Sequence, residues 1–194
     1  MLIPGTKLLN SPVMSLQTGT MVAETDRAII DPRKLQVVAY ELSGPLLDKH
    51  PSLLRTEDIR ELADVGMIVD SSDELVSPDD IIKLKEIYEL NFPLIDIQVV
   101  DNKKHKLGKV NGYTMNLGNF VIQQINVKRP IMKSLGDTEL LIHRSQIVSM
   151  TPSTITVKAG KVNSEPVKVA TRTYVNPFRQ SQGAQPESTE TIPS

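Results

Sequence analysis

The sequence predicts a mainly β fold in which one small β-unit occurs twice, joined by a single short helix. Three observations predict it. Runs of β-branched, aromatic and aliphatic residues recur between Gly, Pro, Asn and Asp turn signals. Three blocks repeat in the same order at offsets of 85 to 88 residues: Val22 with Val110, Leu35–Leu42 with Phe120–Val127, and Leu54–Ile59 with Ile142–Ile147. One stretch alone, Ser77–Leu90, carries a helical signature.

In the first copy, Pro12 and Gly19 punctuate a short strand around Val13, and Met21–Glu24 alternates as a half-buried strand does. Ala28-Ile29-Ile30 runs into Asp31-Pro32-Arg33-Lys34. There the Asp side chain can bond the backbone ahead of it and Pro presets the second turn position. Ile29-Ile30 and Val37-Val38 therefore form a hairpin pair, which Gly44-Pro45 ends. Residues 46–52 read as a loop, Thr56–Ile59 as one helical turn, and Gly66–Val69 as the closing strand.

Ser77 is a good N-cap, Pro78 suits the first helical position, and Asp79 and Asp80 complement the helix dipole. Ile81, Leu84 and Tyr88, widened by Ile87, form one apolar stripe, expected to pack between the two copies. The second copy starts at Pro93–Ile97. A polar turn, Asp101–His105, leads to Leu107–Val110, and Asn116–Asn119 takes the place of the Asp-Pro turn. Phe120–Val127 returns, Leu140–His143 is a strand, Arg144–Ile147 a helical turn and Thr154–Val157 the closing strand. The boundaries expected are 1–76 for the first unit, 77–92 for the linker helix and 93–160 for the second unit, then a C-terminal arm at 161–175. Residues 176–194, dominated by Gln, Ser, Thr, Glu and Pro, are expected to be disordered.

Each copy is close to the size at which burial is barely sufficient for folding alone, so the copies should pack on each other or on a partner. The chain has no cysteine, which excludes disulfides and thiolate metal sites and fits a reducing, cytoplasmic location. No apolar run approaches the roughly 20 residues of a membrane-spanning helix. Net charge is −1, yet residues 1–100 hold 9 Lys+Arg against 17 Asp+Glu, while residues 101–194 hold 13 against 6. The basic half suits an anionic partner, or the two halves attract each other.

Taken together, these segments resemble the PRC-barrel family. The residues that carry the resemblance are Val13, the segment from Gly19 to Val22, Ile30-Asp31-Pro32, Val37-Val38-Ala39-Tyr40 and Glu57-Asp58-Ile59. In the second copy they are Val99, Leu107-Gly108-Lys109-Val110, Phe120–Ile125 and Ser145-Gln146-Ile147. Two departures stand out: Thr20 where the second copy has Gly108, and no Asp-Pro in the second copy. The resemblance covers residues 7–158 and implies two tandem PRC-barrel-like domains. The family includes the cytoplasmic domain of the photosynthetic reaction-centre H subunit and the C-terminal half of a bacterial ribosome-maturation factor. It has no shared catalytic residues, which implies an adaptor-like role in binding protein, or protein on RNA.

The residues themselves point the same way. His50, His105 and His143 have no ligand spacing, and the acids Asp70, Asp73, Asp79 and Asp80 lack the ordered spacing and central Gly of a calcium loop. There is no phosphate-binding Gly loop and no nucleophile elbow. No catalytic residue, metal or cofactor is expected. The candidate binding residues are Lys103, Lys104, His105, Lys106 and Lys109, with Lys128, Arg129 and Lys133 brought near by strand pairing. The function expected is a non-catalytic adaptor that binds another macromolecule, with protein as the leading partner class. The alternative is an RNA- or ribosome-associated factor using the basic second copy, for which stacking aromatics should accompany the lysines. Anionic membrane contact and structural homo-oligomerisation are the remaining readings.

Overall fold

Alternating burial along short β-branched runs is what the sequence dictates, and the computed structural model realises it as two open sheets. It describes residues 1–129 and 139–158. The expected C-terminal arm, the tail and Lys133 lie outside the described residues.

The first sheet is built from β2 (Pro12–Ser15), β3 (Thr20–Asp31), β4 (Gln36–Ser43), β5 (Ser52–Arg55), β6 (Glu61–Ala63) and β7 (Gly66–Val69), in the order β5-β4-β3-β2-β7-β6. The second uses β8 (Gln98–Asp101), β9 (Lys106–Asn116), β10 (Ile122–Lys128), β11 (Glu139–His143), β12 (Ile147–Met150) and β13 (Thr154–Val157), in the order β11-β10-β9-β8-β13-β12. Strand for strand the two orders are the same. In each, the closing strand runs parallel to the opening one, Val13 beside Met67 and Val99 beside Ile155. Neither strand order closes into a ring.

The duplication extends to backbone conformations that L-residues seldom adopt. Asn10 and Asp96 have φ of 52° and 65°, and Leu35 and Phe120 have φ of 52° and 55°. Hydrogen-bond register refines the correspondence. Thr25 N–H donates to the Ser11 carbonyl as Val110 N–H donates to that of Ile97, so Thr25 is the counterpart of Val110. Val22, matched to Val110 by sequence, corresponds instead to Leu107. Bulges at matched places, near Val13/Met14 and Val99/Val100, interrupt simple alternation in both copies, so the apolar pattern alone does not fix this match. The Leu35/Phe120 and Leu54/Ile142 matches hold: Tyr40 pairs with Leu54 as Ile125 pairs with Ile142.

The expected hairpin is present, with Ile30 opposite Val37 and Ile29 opposite Ala39. Asp31 Oδ1 accepts from Arg33 N–H at 2.9 Å. In the second copy Asn116 Oδ1 accepts from Gly118 N–H at 2.8 Å, so Asn makes the same turn without Pro.

Two elements differ from expectation. Ser77 and Pro78 open a separate 3-10 turn, Pro78–Asp80, closed by a capping box to Asp80. Ile81 is extended, and α1 spans Ile82–Leu90. The stripe on α1 does not pack between the copies. Leu84 sits on Ile29, Ala39 and Leu53 of the first sheet, flanked by Ile81, Ile87 and Tyr88. The reason is chemical: the matching positions of the second sheet are Thr114, Gln124 and Leu141, a polar face that gives an apolar helix less to bury against.

The second difference is β1 (Leu2–Pro4). It leaves the first copy and pairs with β9, Ile3 opposite Met115. Gly5 follows, and a Cβ there would run into the Tyr113 ring, so the absent side chain is what seats the N-terminus on the second sheet.

Behind both sheets lies one hydrophobic core. It runs without interruption from Val13, Tyr40 and Met67 to Val99, Met115 and Ile155. The expectation that the copies pack on each other is met by this shared core.

Candidate functional site

The seam between the copies follows from the two left-handed residues. At Leu35 and Phe120 each returning strand turns its carbonyl toward the other copy. Val37 N–H donates to Phe120 O at 3.0 Å, and Ile122 N–H donates to Leu35 O at 2.9 Å. Gln36 bridges Val121 antiparallel. These are matched positions, so the seam is a local two-fold within one chain. It is reinforced on both sides at matched carbonyls. Gln36 Nε2 donates to Asn119 O at 2.8 Å, and Arg144 Nη2 donates to Lys34 O at 3.1 Å.

A groove flanks the seam on each side. One, about 500 Å³, lies between the Gly118–Phe120 turn, the end of β5 and α1. Its Arg55 is neutralised, pairing with Asp58 at 2.6 Å and with Glu57, while Lys34 and Lys83 also line this groove. The hydrogen bond to Asp58 raises the Arg55 pKa, which keeps that guanidinium charged and occupied. The other groove, about 490 Å³, lies between the Pro32–Leu35 turn of the first copy and β12 of the second. Its walls carry Arg33, Lys34 and Arg144 and no acidic residue. None of the three cations joins an ion pair among the described residues. Its apolar part includes Ile147, Met150 and Val148, the last 57 % exposed.

The lysines expected to bind are only partly gathered. Lys109 stands directly opposite Lys128 across β9 and β10, with Arg129 following. Two like charges in register repel, and Glu139 of β11, opposite Lys128 on its other side, supplies a carboxylate beside the pair. Lys103 and Lys104 are at the tip of the β8–β9 turn, while Lys106 opens β9 opposite Val100. Asp101 organises that turn. Its Oδ1 accepts from Lys103 N–H and His105 N–H at 2.8 Å each, and its Oδ2 lies 2.9 Å from His105 Nδ1. Loss of hydration pushes the Asp101 pKa up, but hydrogen bonds from the His105 backbone and side chain and from Lys103 outweigh it, holding the carboxyl below its ordinary value. His105 is thus committed to holding a turn.

His143 caps the Arg144–Gln146 turn through its side chain, and His50 precedes β5. The three histidines sit in different parts of the fold. Among the described residues no three His, Cys, Asp or Glu converge as a metal-holding group. The loop acids are engaged locally. Asp80 accepts from Lys49 at 2.7 Å and from Ser77 N–H at 2.8 Å, Asp79 pairs with Lys85 at 2.8 Å, and Asp70 pairs with Arg60. Tyr113 and Phe120, the aromatics nearest the lysines, are both 8 % exposed and belong to the core.

The groove at β12 escaped sequence reasoning. Its cations are spread over positions 33, 34 and 144, and only the seam brings them together. The basic excess of the second half bears on Arg144 alone, since Arg33 and Lys34 belong to the acidic first half. No helix among the described residues is long and apolar enough to cross a membrane. Compared with known proteins, the chain matches no family model and no curated protein.

Proposed function

We propose that the protein is a non-catalytic adaptor, built on two tandem PRC-barrel-like units about a linker, that binds another protein in the cytoplasm. The barrel description rests on the resemblance of residues 7–158, and it is supported by the identical strand orders and by the inner faces meeting in one core. The adaptor reading is carried by one observation. The second sheet ends in β12, whose outer edge pairs with no strand among the described residues, beside an open groove with apolar walls and uncompensated positive charge. Such an edge supports recognition of a partner's backbone.

A second reading, an RNA- or ribosome-associated factor, is favoured by the facing pair Lys109 and Lys128. Burial of Tyr113 and Phe120 weighs against it, because neither ring is free to stack on a base. The test is affinity capture from native lysate at low and high salt, with nuclease in parallel. The adaptor reading expects proteins that survive both treatments. Recovery of RNA or ribosomal proteins, lost with nuclease or salt, would replace it with the RNA reading, since phosphate contacts weaken steeply with salt.

A further inference from the structure

We infer that the groove between the Pro32–Leu35 turn and β12 takes an extended, acidic segment of a partner protein, which pairs with β12 as an added strand; this inference rests on the adaptor reading above.

The duplication supplies an internal comparison. At the two ends of the first sheet, β5 and β6 are protected. Leu53 of β5 exchanges both backbone hydrogen bonds with Val76, at 2.8 and 3.0 Å. β6 is three residues long, begins with Glu61, and is flanked by Arg60 and Asp64. The strand matched to β6 is β12, and it has none of this. Its sequence is Ile147-Val148-Ser149-Met150, without charge or proline, and Val148 and Ser149 are exposed. Natural sheets normally blunt such an edge with charges, proline or a covering segment. An edge unpaired among the described residues also leaves backbone N–H and C=O groups there that an incoming strand would satisfy.

Charge selects the occupant. Arg33 and Lys34 come from the first copy and Arg144 from the second. Their counterparts across the local two-fold are Gly118, Asn119 and Thr56. The turn forms at Gly118 and Asn119 without cations, so it does not require Arg33 and Lys34; Arg144 also donates to the Lys34 carbonyl across the seam. Three uncompensated cations along an apolar edge fit a strand that alternates carboxylates with apolar side chains. The site is composite, because it exists only while the two copies are docked.

The probe is a short labelled peptide alternating glutamate and valine, titrated into the full chain and followed by fluorescence anisotropy. Saturable binding is expected, weakened about tenfold in Arg33→Glu/Lys34→Glu with unchanged thermal unfolding, and again in Arg144→Glu, which also loses the hydrogen bond to the Lys34 carbonyl across the seam. The same peptide N-methylated at alternate residues keeps its charge and loses backbone donors; it should not bind. Equal binding of the N-methylated peptide would reduce the contact to charge attraction and overturn strand addition. Equal binding of a lysine–valine peptide would overturn the acidic preference. Concentration-dependent self-association that disappears in the same variants would assign the groove to a second copy. If the peptide does not bind while a salt-resistant partner is still captured by the charge-reversed chain, this site is wrong and the adaptor reading stands. If no such partner is captured either, both fall.

Discussion

At the scale of single residues, a few positions hold geometry that their neighbours cannot supply. Asp101 gathers two backbone N–H groups and a histidine into one turn. Its lowered pKa means that this organisation is complete above the ordinary carboxylate range and is lost as pH falls through the depressed value. Amide exchange at Lys103 and His105, corrected for intrinsic rates, should therefore rise on acidification. In Asp101→Ala it should be fast at every pH. Tyr113 has the opposite dependence. Burial raises its pKa from 10.0 to about 12, and burial followed by the nearby Tyr113 raises Tyr40 further. Stability that depends on their neutral forms is intact below pH 10 and is lost as pH rises through 12. A phenolate absorbance titration should show Tyr40 and Tyr113 ionising above the ordinary tyrosine value of 10.0 while the chain is folded. Gly5→Ala would drive a methyl into the Tyr113 ring and should cost about 1–3 kcal/mol in urea denaturation.

At the scale of elements, legibility in the sequence tracked how local the cause was. The β3–β4 hairpin was readable because Asp31-Pro32 sits between two apolar runs and the turn chemistry is contained within five residues. The closing strands at Gly66 and Thr154 were readable for similar reasons. β6 and β12 were missed because, unlike the equally short closing strands, neither is introduced by a Gly or Pro turn signal: β6 follows Ile59-Arg60 directly and β12 runs straight on from the Arg144–Gln146 turn. β1 was missed because its partner is β9, far along the chain, and nothing in Leu2–Pro4 names it. The stripe on α1 was legible, but the surface it covers was not. That depends on Ile29, Ala39 and Leu53 being apolar where the other sheet has Thr114, Gln124 and Leu141. The lysine cluster was legible as composition, and only strand register showed that Lys109 and Lys128 face each other while Lys103 and Lys104 do not join them. Leu84→Ala, which opens a cavity under α1, should destabilise by about 2–4 kcal/mol in denaturant unfolding.

At the scale of the whole molecule, the shared core makes the two copies one folding unit. Leu35 and Phe120 are both buried in it and both sit at the seam. Leu35→Ala should therefore cost about 2–4 kcal/mol and lower the protection of amides in both sheets together. Calorimetric and van't Hoff enthalpies should agree, as for a single cooperative transition. Two separate transitions would show that the seam is only a docking contact between independent units.

The crossing of β1 carries a consequence for the order of events during synthesis. Leu2–Pro4 leaves the ribosome ahead of both sheets, yet its hydrogen-bonding partners, Thr114–Asn116, are made more than a hundred residues later. A strand made ahead of both sheets is thus among the last to find its place. Until β9 arrives, Ile3 has no core to enter, and the open edge of β9 has no cover where β1 will lie. The native state fastens the segment ahead of its first sheet to its second sheet, and completion of the fold waits on a contact between residues more than a hundred positions apart.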